Sequence, residues 1–440
     1  MHTYYPCGGS LSNVSRVVEY MNMDASQRPA SVRGMHDLLP AQTAAWSAAE
    51  ERLRRLLEVC GYEEIRTPAV EESRLFERSV GEATDIVAKE LYAFADRKGR
   101  KLALRPEGTA PVARAYLQHG LHERGGVTRL WYAGAMFRYD RPQKDRYRQF
   151  HQVGVELFGG AHPYYDGEVM DLLARALSVL GVAGPRFEVN AVGCRVCRPQ
   201  FVEALRTSCA GSESALCADC ARRLQENPLR MLDCKRQECR ELFRQFPSVM
   251  RYLCDGCREH FAGVREYLDN AGVRYEVNDR LVRGLDYYTR TVFEVFADGC
   301  EGAVAGGGRY DNLIQDLGGP SVPAVGWALG MERVMPLAQM SAAKAKPVRL
   351  VLLGAAARRA GIRFLSELRD RGVAAVAGYE ERSLGWHLKY ADREGVRWVA
   401  IIGDDELSRQ VVLLRDMQTG EQNVVPAAQA AGILRERTGC

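Results

Sequence analysis

Apolar residues recur at helical spacing over residues 41–60, where Trp46 and Leu57 fall on one face. Gly61 follows at a position where helices commonly end. The same pattern predicts helices over 110–119 and 167–180, and strands over 101–104, 129–138, 149–157 and 291–296. Hairpin-like turns join these strands with few helices between them, so we expect a largely antiparallel sheet.

The pattern changes in the last quarter of the chain. It predicts strands over 348–353, 373–377, 398–402 and 410–415, and helices over 361–370 and 384–394. Alternating strands and helices are typical of a small, mostly parallel α/β domain. The segment SAAKAKP, residues 341–347, is predicted to be the linker that precedes it.

Composition places the chain among globular proteins. Of its 440 residues, 46% are hydrophobic and 26% charged, which is the balance of a globular protein. At ~150 residues per domain, the chain length predicts two to four domains. No apolar stretch approaches the ~18 residues of a membrane span, so we expect no membrane association. Residues 1–22 are expected to be a disordered extension, and they show no signal peptide, which favours a cytoplasmic location. The net charge of +4 neither requires nor excludes a nucleic-acid partner.

Cysteines are concentrated in one part of the chain. Nine of the 13 fall between Cys194 and Cys257, amid Arg- and Glu-rich helical sequence, which marks residues 191–270 as an inserted module. Cys209 is unpaired by spacing, and the close pairs are Cys194 with Cys197, Cys217 with Cys220, Cys234 with Cys239, and Cys254 with Cys257. Four pairs suit two four-thiolate structural zinc sites, or one site with spare thiols. The alternative is a helical insertion whose thiols are simply reduced.

The segment LRPEGTA, residues 104–110, contains the first candidate site residues. Glu107 and Thr109 lie at a predicted strand-to-helix turn, where a carboxylate and a hydroxyl can hold an ammonium group. The alternative is that these side chains merely cap the helix.

A second candidate region is the predicted hairpin FRYDRPQKDRYRQFHQ, residues 137–152. Five of the eleven residues from 138 to 148 are Arg or Lys, and Arg binds phosphate oxygens in a planar, bidentate manner. An exposed basic loop is the alternative, but the apolar sequence on both sides favours a cleft. On the second strand one face carries Phe150, Gln152, Gly154 and Glu156, which suits the floor of a site.

A third region combines RGLDYYTR, residues 283–290, with GGGRYD, residues 306–311. Three consecutive glycines allow a ligand to approach the backbone closely, although a flexible turn would also explain them. The segment GWALGMER, residues 326–333, is predicted to be a strand that opens a helix bearing Arg333.

Together with FERSVGEATDIVAKELYAF, these segments resemble histidyl-tRNA synthetases of the bacterial type, in order over about nine-tenths of the chain. FRYDRP and GMER are similar to the second and third class II motifs, and RGLDYY to the histidine-binding signature. The resemblance implies an α+β fold in which residues 23–190 and 271–340 form the class II catalytic domain on an antiparallel sheet. The insertion 191–270 interrupts it, and residues 348–440 form an α/β anticodon-binding domain.

The resemblance also implies an activity and partners. Histidine is activated by ATP with Mg²⁺ to histidyl-adenylate, and the histidyl group is transferred to tRNA(His). A homodimer is implied, because the first motif, near residues 67–79, builds the subunit interface in this family. The alternative is a histidine-sensing regulatory paralogue, but such proteins lack the anticodon domain and usually lose phosphate-binding arginines.

The roles of individual residues follow from the same resemblance. Contact with the α-phosphate is implied for Arg138 and Arg283, the latter in place of a metal ion. The ATP site further comprises Asp140, Arg146, Phe150 and Arg333, with Phe150 stacked on adenine and Asp140 near its amino group. The histidine site comprises Glu107, Gly108, Thr109, Gln152, Glu156, Tyr287 and Tyr288. In that set, Glu156 and Tyr288 are implied to bond opposite sides of the imidazole.

Overall fold

The computed structural model describes residues 29–81, 84–141, 146–340 and 346–438. The predicted extension 1–22, most of the linker 341–347 and the tip of the basic hairpin, 142–145, lie outside the described residues. The chain divides after residue 341 into two compact units. Within the described residues, no helix is long and apolar enough to cross a membrane.

An eight-stranded sheet forms the centre of the first unit, beside a three-stranded sheet. The strands are β1 (Glu63–Glu64), β2 (Val70–Glu72), β3 (Ala93–Ala95), β4 (Lys101–Leu104), β5 (Thr128–Phe137), β6 (Gln149–Phe158), β7 (Arg186–Ala191), β8 (Tyr275–Val277), β9 (Thr289–Phe296), β10 (Ala305–Arg309) and β11 (Ala324–Gly330). The large sheet has the order β1-β5-β6-β11-β10-β9-β7-β8 and the small one β2-β4-β3. Only the outer pairs β1–β5 and β7–β8 are parallel, so the predicted antiparallel sheet is confirmed.

Helices cover this sheet, and the three predicted ones are present. The helices of the first unit outside the insertion are Pro40–Val59, Ser73–Val80, Thr109–Gln118, Tyr164–Val179, Leu313–Asp316 and Met331–Val334. In the first of them Trp46, Leu53 and Leu57 are buried, as helical spacing predicts. Gly61 follows with a φ of 77°, a conformation that stops the helix at little steric cost.

The cysteine-rich insertion is mainly helical. Its helices are Arg198–Cys209, Ala218–Glu226, Gln237–Phe243 and Asp255–Ala271. Its apolar side chains, such as Phe201 and Phe261, are continuous with the core beneath the large sheet. Gly167 brings the helix Tyr164–Val179 close to the insertion, because a Cβ there would lie 2.5 Å from the Tyr267 ring.

The second unit has a five-stranded sheet of the order β13-β12-β14-β15-β16. Its strands are β12 (Val348–Leu352), β13 (Ala375–Gly378), β14 (Trp398–Ile402), β15 (Val411–Asp416) and β16 (Gln422–Pro426), and its helices are Ala355–Asp370, Leu384–Arg393, Asp404–Ser408 and Ala427–Thr438. Strand β12 is parallel to β13 and β14, whereas β15 is antiparallel to both its neighbours. The prediction of a mostly parallel sheet is therefore wrong for half of the strand pairs. A five-residue turn after Asp416 is too short for a parallel crossover and returns the chain as a hairpin.

Candidate active site

The turn between β4 and the helix Thr109–Gln118 places a carboxylate inside the protein. Glu107 is buried and accepts hydrogen bonds from the backbone N–H groups of Thr109, at 2.7 Å, and Ala110, at 2.9 Å. Burial raises the pKa of Glu107. The capping function considered for this segment is thus present, and it holds Glu107 in a fixed position.

Glu156, on β6, is fully buried. One carboxylate oxygen accepts a 2.7 Å hydrogen bond from the Thr109 hydroxyl, and the other accepts one from the Tyr310 hydroxyl. Burial raises the pKa of Glu156 to about 8, although both hydroxyl donors oppose that shift. Glu156, one of the four residues predicted to form the floor of a site on β6, is therefore a buried acid.

Tyr132, on β5, occupies part of the predicted floor. Its ring lies over Gly154, where a Cβ would come within 2.4 Å of it, and over Gly108, where a Cβ would come within 2.1 Å. Both glycines make room for this ring. The sequence analysis did not select Tyr132, because it looks like any core aromatic residue of an apolar strand.

Three more tyrosines close the same region. Tyr287 and Tyr288 are buried with ring centroids 4.7 Å apart, and Tyr310 lies 5.5 Å from Tyr287. Tyr310 is separated from the glycine run by Arg309 alone and was also not selected. Its position next to GGGR was the available signal, but only the fold shows its hydroxyl on Glu156.

The glycine run forms the buried strand β10, so the flexible-turn explanation is wrong. A Cβ at Gly306 would lie 2.5 Å from the Arg283 guanidinium, and one at Gly308 would lie 2.8 Å from the Tyr288 ring. Side chains of the loop 283–288 therefore approach the glycine backbone closely. The glycines let that loop lie directly on the sheet.

Two of the predicted arginines line the same pocket. Burial lowers the pKa of Arg138, and the charge of Arg283 contributes in the same direction. Arg138 donates to the Pro106 carbonyl at 2.9 Å, and its guanidinium lies 5.4 Å from the Phe150 ring centroid. Arg283 forms an ion pair with Glu294 of β9. The pocket therefore has two cationic groups close to a tyrosine- and carboxylate-lined cavity.

The other predicted ATP residues lie nearer the edge. Arg146 and Asp140 bind one another at 2.9 Å, and Arg333 donates to the Ala303 carbonyl at 2.6 Å. Glu332, which the sequence analysis did not select, accepts hydrogen bonds of 2.9 Å from both the backbone and the ring of His151. This bond fixes the short helix after β11 against β6.

Three polar atoms in the pocket are buried without a hydrogen-bond partner among the described residues. They are the carboxamide oxygen Oε1 of Gln152, Nε of Arg283 and the hydroxyl oxygen of Tyr132. Buried polar groups are nearly always satisfied, so these three indicate where a polar ligand binds.

The eight closely spaced cysteines of the insertion form two groups of four in the structure. One group comprises Cys194, Cys197, Cys254 and Cys257, and the other Cys217, Cys220, Cys234 and Cys239. In each group all sulfurs lie within 4.8 Å of one another, and no described cysteine is in a disulfide. Cys209 is buried outside both groups. The alternative of one site with spare thiols does not match this arrangement.

In the second unit, aromatic and basic side chains share the helix Leu384–Arg393. Trp386, which is 38% exposed, stacks on Tyr390 with centroids 5.4 Å apart. The guanidinium of Arg393 lies 4.9 Å from the Tyr390 ring and that of Arg382 lies 6.0 Å from the Trp386 ring. Such a surface can stack nucleic-acid bases and neutralise phosphates.

Comparison with protein families gives two matches that together cover most of the chain. A family model described as histidyl-tRNA synthetase matches residues 34–334. A model described as anticodon binding domain matches residues 348–437.

Individual relatives agree with these models. The histidine–tRNA ligase of Desulforudis audaxviator is 48% identical over 409 residues, 92% of this chain and 97% of that protein. The histidine–tRNA ligase of Thermodesulfovibrio yellowstonii is 43% identical over 92% of this chain and 98% of its own length. Among solved structures, apo histidyl-tRNA synthetase of S. aureus has a TM-score of 0.79 and 32% identity, covering 93% of this chain and all of that one.

Proposed function

The chain belongs to the histidyl-tRNA synthetase family, and from that premise we propose how its pocket performs histidine–tRNA ligation. It is a class II aminoacyl-tRNA synthetase, an ATP-dependent ligase of protein biosynthesis. The regulatory alternative loses its basis, because this chain has the second unit and is 48% identical to a ligase over nearly that ligase's full length.

We propose that histidine binds with its imidazole between Glu156 and Tyr288. Each Glu156 oxygen already accepts one hydrogen bond but has capacity for a second, so it can accept from an imidazole N–H. The unpaired Oε1 of Gln152 is available to the substrate ammonium group. Glu107, Gly108 and Thr109 would line the amino-acid end, with Tyr287 along the ring. An analogue without one ring nitrogen would leave a buried group unpaired and be rejected.

We propose that ATP binds with its α-phosphate between Arg138 and Arg283. The histidine carboxylate oxygen then attacks the α-phosphorus, and the bond to the departing pyrophosphate breaks. Guanidinium groups fixed before the reaction stabilise the charge that develops on the phosphoryl oxygens. Arg146 and Arg333 would hold the outer phosphates, Phe150 would stack on adenine, and Asp140 would accept from its amino group. Mg²⁺ would supply further positive charge on the phosphates when bound.

Transfer then needs tRNA. A ribose hydroxyl of the 3′ end attacks the carbonyl carbon of histidyl-adenylate, and AMP leaves. We propose that the second unit binds the anticodon stem-loop of tRNA(His), which the match to an anticodon-binding model supports. Because tRNA is the substrate, we place the reaction in the cytoplasm.

We further propose a homodimer formed through residues 67–79. Support comes from a groove of about 940 Å³ in this part of the first unit, lined by Pro68, Glu71, Leu75, Arg114 and Leu317 among others. A second copy of this segment would cover the groove.

We infer that the insertion 191–270 is a module of the first unit that binds Zn²⁺ in both thiol groups. Sulfur–sulfur separations are 3.7 Å for Cys194–Cys197, 3.8 Å for Cys197–Cys257 and 3.9 Å for Cys217–Cys234. A tetrahedral Zn²⁺ with bonds of about 2.3 Å to sulfur requires sulfurs about 3.8 Å apart. A disulfide requires about 2.05 Å.

The proposed activation mechanism rests on the presence of Arg138, Arg283 and the unpaired Oε1 of Gln152 in one pocket. ATP–pyrophosphate exchange tests it. Exchange should depend on histidine and on no other amino acid, and charging should require tRNA(His). Arg283→Ala should lower exchange about 10²- to 10³-fold. Arg206→Ala, on an exposed helix face of the insertion, should leave it unchanged. A folded protein that binds histidine without exchange would contradict the proposal.

A further inference from the structure

The loop 283–288 is fastened to the insertion by three of the insertion's side chains. Arg198 donates to the Tyr288 carbonyl. Asn227 donates from Nδ2 to the Asp286 carboxylate at 2.9 Å, and Arg230 donates from Nη1 to the Arg283 carbonyl at 3.1 Å. Every one of these three side chains belongs to a segment that is bounded by a thiol group.

The first thiol group, Cys194, Cys197, Cys254 and Cys257, adjoins Arg198 directly. We call it the outer thiol group. The Arg198 guanidinium also donates to the carbonyls of Val192, at 3.2 Å, and Gly193, at 3.1 Å. The chain leaving β7, the start of the helix Arg198–Cys209 and the start of the helix Asp255–Ala271 therefore converge on one set of four sulfurs. Their convergence sets where Arg198 meets the loop.

The second set, Cys217, Cys220, Cys234 and Cys239, we call the inner thiol group. It closes the segment 217–234, which consists of the helix Ala218–Glu226 and a 3₁₀ turn, Pro228–Asp233. Asn227 and Arg230 lie in the middle of this closed segment. Its two ends have sulfurs 3.9 Å apart, at Cys217 and Cys234.

The same closed segment also binds a second part of the catalytic unit, at Asp85. Arg223 donates from Nη2 to the Asp85 carboxylate at 2.8 Å and from Nη1 to the Arg230 carbonyl at 3.2 Å. Asp85 immediately precedes the π-helical turn Ile86–Glu90. The segment thus joins two parts of the catalytic unit that are about 200 residues apart in the chain.

A small set of buried side chains supports the segment from inside. Within 217–234 the buried side chains include Cys220 and Cys234 themselves, with Leu224, Met231 and Arg230. Without an ion, four thiols this close together are unfavourable in either protonation state. Protonated thiols cannot all form good hydrogen bonds with one another, and thiolates repel each other. A bound Zn²⁺ removes both problems and supplies the closure energy of the segment.

We propose that the inner Zn²⁺ site positions the histidine-binding loop, so that loss of the inner ion weakens histidine binding from outside the pocket. This inference rests on the proposed function, because it assigns the loop to histidine. Asn227 and Arg230 are positioning residues: they touch the loop's Asp286 and the Arg283 backbone, and neither needs to contact histidine. A displacement of about 1 Å at such a loop suffices for a large loss of activity.

The decisive experiment compares metal content, loop protection and histidine affinity in the full chain. Elemental analysis of protein purified without chelator should give about two Zn²⁺ per chain. Cys239→Ser should lose about one of them and raise the histidine KM in ATP–pyrophosphate exchange at least about tenfold, with a much smaller change in the KM for ATP. Hydrogen–deuterium exchange of peptides spanning 283–288 should become faster in the same variant. Cys60→Ser, a half-buried thiol outside both groups, should change none of these.

A second variant separates the ion from the contacts that it positions. Asn227→Ala combined with Arg230→Met should retain about two Zn²⁺ yet raise the histidine KM by a similar factor. Absence of zinc in the parent protein, or a folded Cys239→Ser variant with unchanged histidine KM and unchanged loop exchange, would overturn the inference. If the parent protein shows no histidine-dependent exchange at all, the proposed function fails, while zinc content and loop exchange still decide whether the inner ion fixes the loop.

Discussion

The hydroxyl of Thr109 donates a 2.7 Å hydrogen bond to the carboxylate of Glu156, although the two residues are 47 positions apart in the chain. The bond joins the turn after β4 to the middle of β6. With Tyr310 on the other oxygen, the carboxylate is held entirely by side-chain hydroxyl groups. Burial raises the pKa of Glu156 to about 8, because these neutral hydroxyl donors offset the loss of hydration only in part.

A titration of stability should reveal this buried acid. Because the pKa of Glu156 rises from 4.5 to about 8 on folding, the unfolded chain loses this proton at lower pH than the folded chain. Its contribution to the free energy of unfolding therefore falls as pH rises from about 4.5 to about 8. Removing the titration by Glu156→Gln should make the variant gain stability relative to the parent by at least about 1 kcal/mol between pH 5 and pH 8. Denaturant unfolding at several pH values measures the difference.

The matched control is Glu203→Gln, whose side chain is 71% exposed and hydrated in both states. This exposed substitution should change the free energy of unfolding by no more than about 0.5 kcal/mol. A flat difference for Glu156→Gln would contradict the high pKa.

The buried ion pair of Asp166 and Arg309 should give stability the opposite pH dependence. Asp166 binds Arg309 through Nε at 3.0 Å and lies 3.3 Å from His260. Burial alone would raise the pKa of Asp166, but these partners outweigh it and hold the pKa at about 2. Its stabilisation is present above pH 4 and is lost as pH falls towards 2. Asp166→Asn should cost about 3–5 kcal/mol at neutral pH, because Arg309 stays buried with only Asp311 as a carboxylate partner.

Asp171→Asn serves as the comparison on the same helix. Asp171 pairs with Arg175, whose side chain is 61% exposed, so its loss should cost no more than about 0.5 kcal/mol. Equal costs for the two variants in thermal or denaturant unfolding would rule out a special contribution from the buried pair.

Alanine substitutions at two neighbouring glycines of β10 should have different effects, one on activity and the other on stability. A Cβ at Gly306 would meet only the far end of Arg283, whereas a Cβ at Gly307 would lie 2.1 Å from the Gly326 carbonyl and 2.8 Å from the Trp327 backbone. Gly306→Ala should therefore lower histidine-dependent exchange about 10²-fold with little loss of stability, by displacing a catalytic guanidinium. Gly307→Ala should destabilise the protein by about 1–3 kcal/mol. Full activity of folded Gly306→Ala would show that Arg283 can leave this position.

The aromatic surface of the second unit should matter only when tRNA is present. Trp386→Ala removes the exposed ring that stacks on Tyr390, so it should raise the tRNA KM in aminoacylation by about tenfold. It should not alter ATP–pyrophosphate exchange, which needs no tRNA. Val424→Ala, another exposed apolar residue of this unit, should leave both reactions unchanged. A Trp386→Ala enzyme with normal charging kinetics would place the anticodon contact elsewhere.

The elements that the sequence predicted well have a strong local signal. The helix Pro40–Val59 and the strands β4, β5 and β6 lie within one or two residues of their predicted bounds, because their apolar periodicity is long and uninterrupted. Strand β15 was predicted to within one residue, but its hairpin partner β16 was missed, because a five-residue strand without fully buried residues carries little periodicity. Its antiparallel pairing depends on turn length, which a pattern of apolar residues does not encode.

Most of the candidate functional residues could also be recognised in the sequence. The signature RGLDYY, the arginines of the basic hairpin and four pairs of cysteines stand out by residue type and spacing. Tyr132 and Tyr310 do not, since a buried tyrosine of a strand has the same local pattern whether or not its ring borders a ligand. The glycine run did indicate a position of close approach, and the fold adds that Arg283 and Tyr288 approach it.

Tertiary structure decided which groups meet. Thiol pairs about 20 to 60 residues apart could have combined in several ways, and only folding places Cys194 and Cys197 with Cys254 and Cys257. In the same way, folding brings Arg283 onto Gly306 and Arg230 onto the Arg283 backbone. Local sequence determines which conformations a segment favours and which chemistry its side chains offer. Distances between remote side chains depend instead on how strands and helices pack, and packing is a property of the whole core.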